Sequence, residues 1–207
     1  MKARRPHGIA GALLGVAAFA AAAAQDDVPP PATPSHEITV PLDAKRSLAE
    51  FEVRVIWMFD VHGRFGTVKG SVHLDREAQH AQVTARIDAR GVDMRRDSYE
   101  DWVKSPEFFD VLQYPEIVFE SEPFPLATLD LGGDIMGRLT VRGVTRDTRW
   151  SLLPSECPGR AALDCPVQAD GAIQRSEFGM NTRRATLADK VKLHFRIYAA
   201  PAAGGPS

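Results

Sequence analysis

Within about residues 37–199 apolar and polar side chains alternate in short runs, and this two-residue period is the tightest constraint on the fold. In "AQVTARIDA" Ala81, Val83, Ala85, Ile87 and Ala89 fall on one face, with Gln82, Thr84, Arg86 and Asp88 on the other. "VKLHFRIYA" sets Val191, Leu193, Phe195 and Ile197 against Lys192, His194, Arg196 and Tyr198. "FEVRVIWMF" places Phe51, Val53, Val55, Trp57 and Phe59 on one side of a single strand. Weaker versions run through "GTVKGSVHLD", "EIVFES", "DIMGRLTVRG", "TRWSLL" and "VQADGAIQR". Successive strand residues point to opposite faces, so each run offers one apolar face, the pattern of antiparallel sheet. Turn signals such as "HGRFG", "LGGD", "RGVTRD" and "CPGR" separate the runs. The expectation is an all-β domain of about eight strands, closed as an up-and-down barrel or stacked as a sandwich. Such a barrel has room for its own side chains or for one small ligand. Alternation does not say which face looks outward, so an outer-membrane barrel competes with a water-soluble one.

One stretch breaks the period. Asp97 followed by Glu100 has the spacing of a capping box, and Tyr99, Trp102 and Val103 share one helical face. Ser105-Pro106 ends that helix and can begin another, which would carry Phe108 and Phe109. Tyr114-Pro115 then returns the chain to strand. A short helical insertion is therefore expected near residues 97–112. Its aromatic residues would form either a lid over a cavity or a plug within the core.

The chain's ends differ from this domain in composition. Residues 1–24 join a basic start to an Ala-rich apolar run ending in Ala22-Ala23-Ala24, the design of a cleavable signal peptide. Export to the periplasm is the expectation, followed by a Pro-rich linker at 25–36, the domain at 37–199 and a flexible tail at 200–207. Cleavage leaves 22 basic against 27 acidic residues, and this mild acidity argues against nucleic acid as a partner. After cleavage no helical membrane span is expected. Cys157 and Cys165, in "CPGRAALDC", are expected to pair in an oxidising compartment.

Enzyme signatures are missing from the sequence: no nucleophile elbow, dinucleotide fingerprint or phosphate loop occurs. His36-Glu37 fails as a zinc motif at Val40, and His62, His73, His80 and His194 are scattered. Neither a metal nor a cofactor is expected. Glu107, Asp110 and His62 are the acid/base candidates for an alternative reading, a barrel enzyme acting on a small hydrophobic substrate at the mouth. Arg95, Arg96, Arg183 and Arg184, in "MRRD" and "NTRRAT", are candidates for an anionic head group.

Four segments together carry a family resemblance: "HGRFGTVKGSVHLD", "KSPEFFDVLQYPEIVFES", "GRLTVRGVTRD" and "IQRSEFGM". In that order they resemble the YceI-like proteins over about residues 48–199. The resemblance implies an extended lipocalin-like barrel, exported in many bacteria, that encloses polyisoprenoids, isoprenoid quinones or fatty-acid-like lipids. No catalysis is established as a family trait, and some members are linked to stress or to electron transport. Where the family often reads R-D-x-H-L-x-S before the double Phe, Trp102 stands in place of the histidine, and Arg96-Asp97 lies slightly upstream. On this reading the chain is a carrier, not an enzyme, with a homodimer left open. Phe51, Val53, Val55, Trp57, Phe65, Val83, Ile87, Phe119 and Phe195 would line the tunnel, and Trp102, Phe108 and Phe109 would gate it.

Overall fold

The computed structural model describes residues 37–56 and 58–201. The expected leader and linker, Trp57 and most of the expected tail lie outside the described residues.

The eight-strand barrel is present, although its staves are interrupted. β1 (Glu37–Pro41) and β2 (Leu48–Val55) run on in one direction, and together they face β3 (Phe59–Phe65) and β4 (Val68–Asp75). Glu37 opposes Asp75, Pro41 opposes Ser71, Ala49 opposes Phe65 and Val55 opposes Phe59, so each pair of segments forms one long stave. β5 (His80–Asp88) continues into β6 (Val92–Met94) along the second stave. β7 (Glu116–Ser121) continues into β8 (Phe124–Pro125) along the third. With β9 (Gly133–Val141), β10 (Val144–Leu152), β11 (Val167–Gln174) and β12 (Leu187–Ile197), twelve segments reduce to eight antiparallel staves. β12 pairs with β2, and the Leu42–Ala199 bridge joins it to the first stave beyond β1. The sheet thereby curls round onto itself.

The interruptions have local causes. Asp43 Oδ1 accepts from the Lys45 and Arg46 backbone N–H groups at 3.0 and 3.2 Å, which folds the chain into a turn between β1 and β2. Asp88 does the same for Arg90 N–H at 3.0 Å, capping a single 3-10 turn at Ala89–Gly91 between β5 and β6. At the end of β7, Ser121 Oγ accepts the Val83 N–H at 2.8 Å where the ladder breaks before Pro123. Gly70 sits within β4 at φ +145°, and its carbonyl accepts the Leu42 N–H at 2.9 Å.

The apolar faces look inward. Phe65, Val68, Val92, Leu139 and Val141 are buried on the inner face. Outward positions carry ion pairs such as Arg54–Asp60, Lys192–Glu52, Arg138–Glu120 and Arg149–Asp134. A membrane barrel requires apolar side chains at those positions. Among the described residues, no helix is long and apolar enough to cross a membrane. Glycines make room for the inner aromatics, since a Cβ at Gly63 would lie 2.3 Å from the Phe51 ring and one at Gly171 2.3 Å from that of Trp150.

Three sequence expectations are corrected. "FEVRVIWMF" is a hairpin and not one strand: Ile56 takes a left-handed φ of 50°, the chain reverses, and Phe59 faces solvent. The capping box does not form, because Arg96 is the N-cap of α1 (Asp97–Lys104), with no side-chain cap, and Glu100 instead pairs with Lys104 at 2.5 Å. Residues 105–114 are consecutive turns, so the helix is shorter than expected. A second short helix, α2 (Thr128–Leu131), stands at the opposite end of the barrel. Beside it the loop closed by the Cys157–Cys165 disulfide packs down: Gly159 N–H donates to Asp130 Oδ1 at 3.0 Å, and Ala199 N–H to the Ala162 carbonyl at 2.8 Å.

Candidate ligand-binding cavity

The inner faces of β2, β3, β5, β9, β11 and β12 surround a cavity of about 130 Å³. Phe51, Val53 and Val55 come from β2, Val61 and Phe65 from β3, and Ile87 from β5. Leu139 and Val141 come from β9, Ile173 from β11, and Val191, Leu193 and Phe195 from β12. Below them the Phe195 ring lies 5.0 Å from Trp150, and Trp150 lies 5.6 Å from Phe119, both edge-on. These three rings form the floor.

The roof is α1 with the turns after it. Backbone bonds hold those turns: Phe108 N–H donates to Ser105 O and Phe109 N–H to Val103 O, both at 3.0 Å, and Tyr114 N–H donates to Asp110 O at 2.8 Å. Asp110 takes a left-handed φ of 49°, which swings the following residues back over the barrel. The choice between lid and plug then divides between neighbouring residues. Phe109 reaches inside, with its ring edge-on at 5.5 Å to Phe65 and near-perpendicular at 6.1 Å to Phe51. Phe108 stays in the roof, 4.3 Å from the Trp102 ring.

Glu107 latches this roof to the β11–β12 connection. Its carboxylate accepts the Trp102 indole N–H at 2.8 Å and the Arg183 Nε–H at 3.4 Å. The Arg183 guanidinium lies 4.7 Å above the Trp102 ring, and Thr182 Oγ1 donates to the Glu107 carbonyl at 3.3 Å. The Trp102 N–H, with Arg183 adding to it, holds the Glu107 carboxyl below the usual carboxylate range. A carboxylate with a lowered folded-state pKa stabilises the closed roof above its unfolded pKa, and that contribution is lost as pH falls through the folded value. The change in Trp102 fluorescence on acidification is therefore expected at a lower pH than an unperturbed carboxylate would set. In Glu107→Gln this late acid transition should vanish.

The three acid/base candidates of the enzyme reading have other partners in this geometry. Glu107 is ionised and occupied as a latch, and His62 is on the outer face, 3.8 Å from Glu52. Asp110 is a turn residue whose carbonyl accepts two backbone N–H groups.

Of the expected lining residues, Phe51, Val53, Val55, Phe65, Ile87, Trp102, Phe108, Phe109 and Phe195 do border the cavity. Val83 and Phe119 do not: both point inward, but Phe119 lies in the floor and Val83 pairs with Val72 on the far half of its stave. Trp57 lies outside the described residues. The four head-group arginines are all exposed, with Arg183 engaged by Glu107, Arg184 by Asn181, and Arg96 stacked 5.5 Å from the Tyr99 ring. The sequence reading left out other lining residues as well, among them Leu139, Val141, Leu187, Tyr99, Met180 and Arg175. The parity of β11 could have flagged the last: Ile173 points inward, so Arg175, two residues on, points the same way.

A sequence model of the YceI-like domain matches residues 41–199. The chain belongs to the YceI-like domain family. Protein YceI of Salmonella arizonae is 23% identical over 165 residues, covering 76% of this chain and 83% of that protein. A UPF0312 protein of Pectobacterium carotovorum is 24% identical over 154 residues, covering 73% and 79%. Among solved structures, BcnA of Burkholderia cenocepacia superposes with a TM-score of 0.63 at 21% identity, covering 77% of this chain and 99% of BcnA. A polyisoprenoid-binding domain from Saccharophagus degradans reaches 0.56 at 17% identity, covering 78% and 98%. The YceI-like barrel is thus shared across distant sequences, and its cavity in this chain is built from the residues named above.

Proposed function

We propose that this YceI-like protein is an exported, periplasmic carrier that encloses one long hydrophobic amphiphile, such as a polyisoprenoid, an isoprenoid quinone or a fatty-acid-like lipid. The observation that carries this reading is the cavity: hydrocarbon and aromatic walls drawn from most of the staves, a closed floor and a latched aromatic roof. Family membership and the ligand of the Saccharophagus degradans domain add support for a hydrophobic ligand. Each methylene removed from water contributes about 0.8 kcal/mol, so a long chain gains affinity without many polar contacts. At about 130 Å³ the empty cavity is comparable to the ~150 Å³ engineered cavity that admits benzene. A longer chain therefore enters only as Phe109 leaves. Withdrawal of its ring from between Phe51 and Phe65 joins the cavity to the mouth.

The test is purification from the periplasm without detergent, then solvent extraction and mass spectrometry. A chain-like lipid is expected in about one-to-one amount, on a protein whose N-terminus is Gln25. Repeated recovery of empty protein, which also fails to take up an added long-chain lipid, would overturn the reading.

A further inference from the structure

Within the binding role proposed above, one buried charge has no counterion. Arg175 begins the 3-10 turn Arg175–Phe178 after β11, is 1% exposed, and borders the cavity beneath the roof. Its Nε donates to the Ala188 carbonyl at 3.0 Å, its Nη2 to the Leu187 carbonyl at 3.2 Å, and its Nη1 to the Met180 carbonyl. A guanidinium carries five N–H groups, so two are left with no protein acceptor among the described residues. Among those residues, no carboxylate oxygen comes within 4.0 Å of it. Asp189 exerts a longer-range attraction, but its oxygens already accept from Ser176 N–H at 2.9 Å and Ser176 Oγ at 2.6 Å.

Three carbonyls explain why Arg175 can be buried and how it ties the β11–β12 connection together. They do not supply the opposite charge that a buried cation ordinarily requires. The remaining lining side chains are hydrocarbon, aromatic or thioether, so Arg175 is the only charged group on the cavity wall among the described residues. It differs from the four arginines singled out in the sequence, which are exposed and screened by solvent. We propose that Arg175 anchors an anionic oxygen head, a carboxylate or a phosphate, on the amphiphile whose chain fills the cavity. The head then lies beneath the roof at the mouth end of β11, and the chain runs down toward Phe195. The ligand is accordingly an acid, and a neutral long-chain alcohol of equal length is a poor substitute.

The test compares decanoate, decyl phosphate and decan-1-ol by titration calorimetry on the full-length mature protein. In the wild type at least one anion should bind roughly ten-fold or more tightly than the alcohol, the worth of a charge-assisted hydrogen bond. Which anion gains assigns carboxylate or phosphate. In Arg175→Gln the gap should close to within about two-fold. Equal binding of all three to the wild type overturns the anchor but leaves the carrier role standing, as does a gap that survives in Arg175→Gln. Failure of all three to bind overturns both. Should Arg175→Gln not fold, as read by circular dichroism, the wild-type comparison alone decides.

Discussion

Replacing Phe109 with alanine is expected to destabilise the empty protein by about 3 kcal/mol, at the lower end for a phenylalanine truncation because the side chain is only half-buried. The same substitution should strengthen binding of a long chain. On the entry route proposed above, such a chain drives the Phe109 ring of the wild type out from between Phe51 and Phe65, giving up two aromatic contacts of roughly 0.5–1.5 kcal/mol each. That loss is subtracted from the affinity, as for any protein whose binding-competent form is the minor one. In Phe109→Ala the space already exists. Thermal melts with and without octadecanoate check both halves: the empty variant should melt lower than wild type, and added lipid should raise its Tm by more. A variant that melts lower and gains no more from lipid than wild type does would make Phe109 a core filler alone.

Gly70→Ala should be more damaging, with a loss of about 4 kcal/mol or more, enough to threaten folding of a domain of ordinary stability. A Cβ there would stand 1.9 Å from the Thr84 carbonyl oxygen and 2.9 Å from its carbon, on a backbone at φ +145° that L-residues rarely adopt. The obstacle is backbone, so no rotamer change relieves it. β4 and β5 must separate exactly where Gly70 O also receives the Leu42 N–H that draws the first stave against the second. Gly66→Ala, four residues earlier, is the control: its Cβ meets nothing nearer than the Gly91 carbonyl at 3.5 Å, and a change under about 1 kcal/mol is expected. Urea denaturation of both variants measures the contrast, and a Gly70→Ala protein as stable as wild type would refute the clash.

What could be read in the sequence followed from periodicity. β5 and β12 carry clean alternation, and both have the expected face inward. Alternation assigns a face but not a depth along the barrel axis. Val83 and Phe119 were thus placed on the correct side and at the wrong level. The hairpin after Val55 was hidden because its reversal rests on Ile56 in a left-handed conformation, with no Gly, Asn or Pro to mark it. The Glu107–Arg183 latch joins positions 76 residues apart, beyond the reach of local pattern. Arg175 was overlooked for a different reason. Charged residues are expected outside, and its burial depends on the carbonyls of Met180, Leu187 and Ala188, which only folding brings together at the start of β12.

The two ends of the barrel are held by unlike means. Beside α2 the connecting loop is closed covalently by Cys157–Cys165 and bonded down through Asp130 and Ala199. At the mouth, ring contacts and one carboxylate latch do the holding. A vessel so constructed has a single door. An amphiphile carried as proposed above would travel chain-first inward and head-first outward along one path, so that two molecules could not pass each other inside. Exchange must be sequential, with departure completed before the next arrival. Under that proposal any partner that loads or unloads the barrel has to address the roof made by α1 and the turns after it, and a fresh ligand in solution would not hasten the release of the one already held.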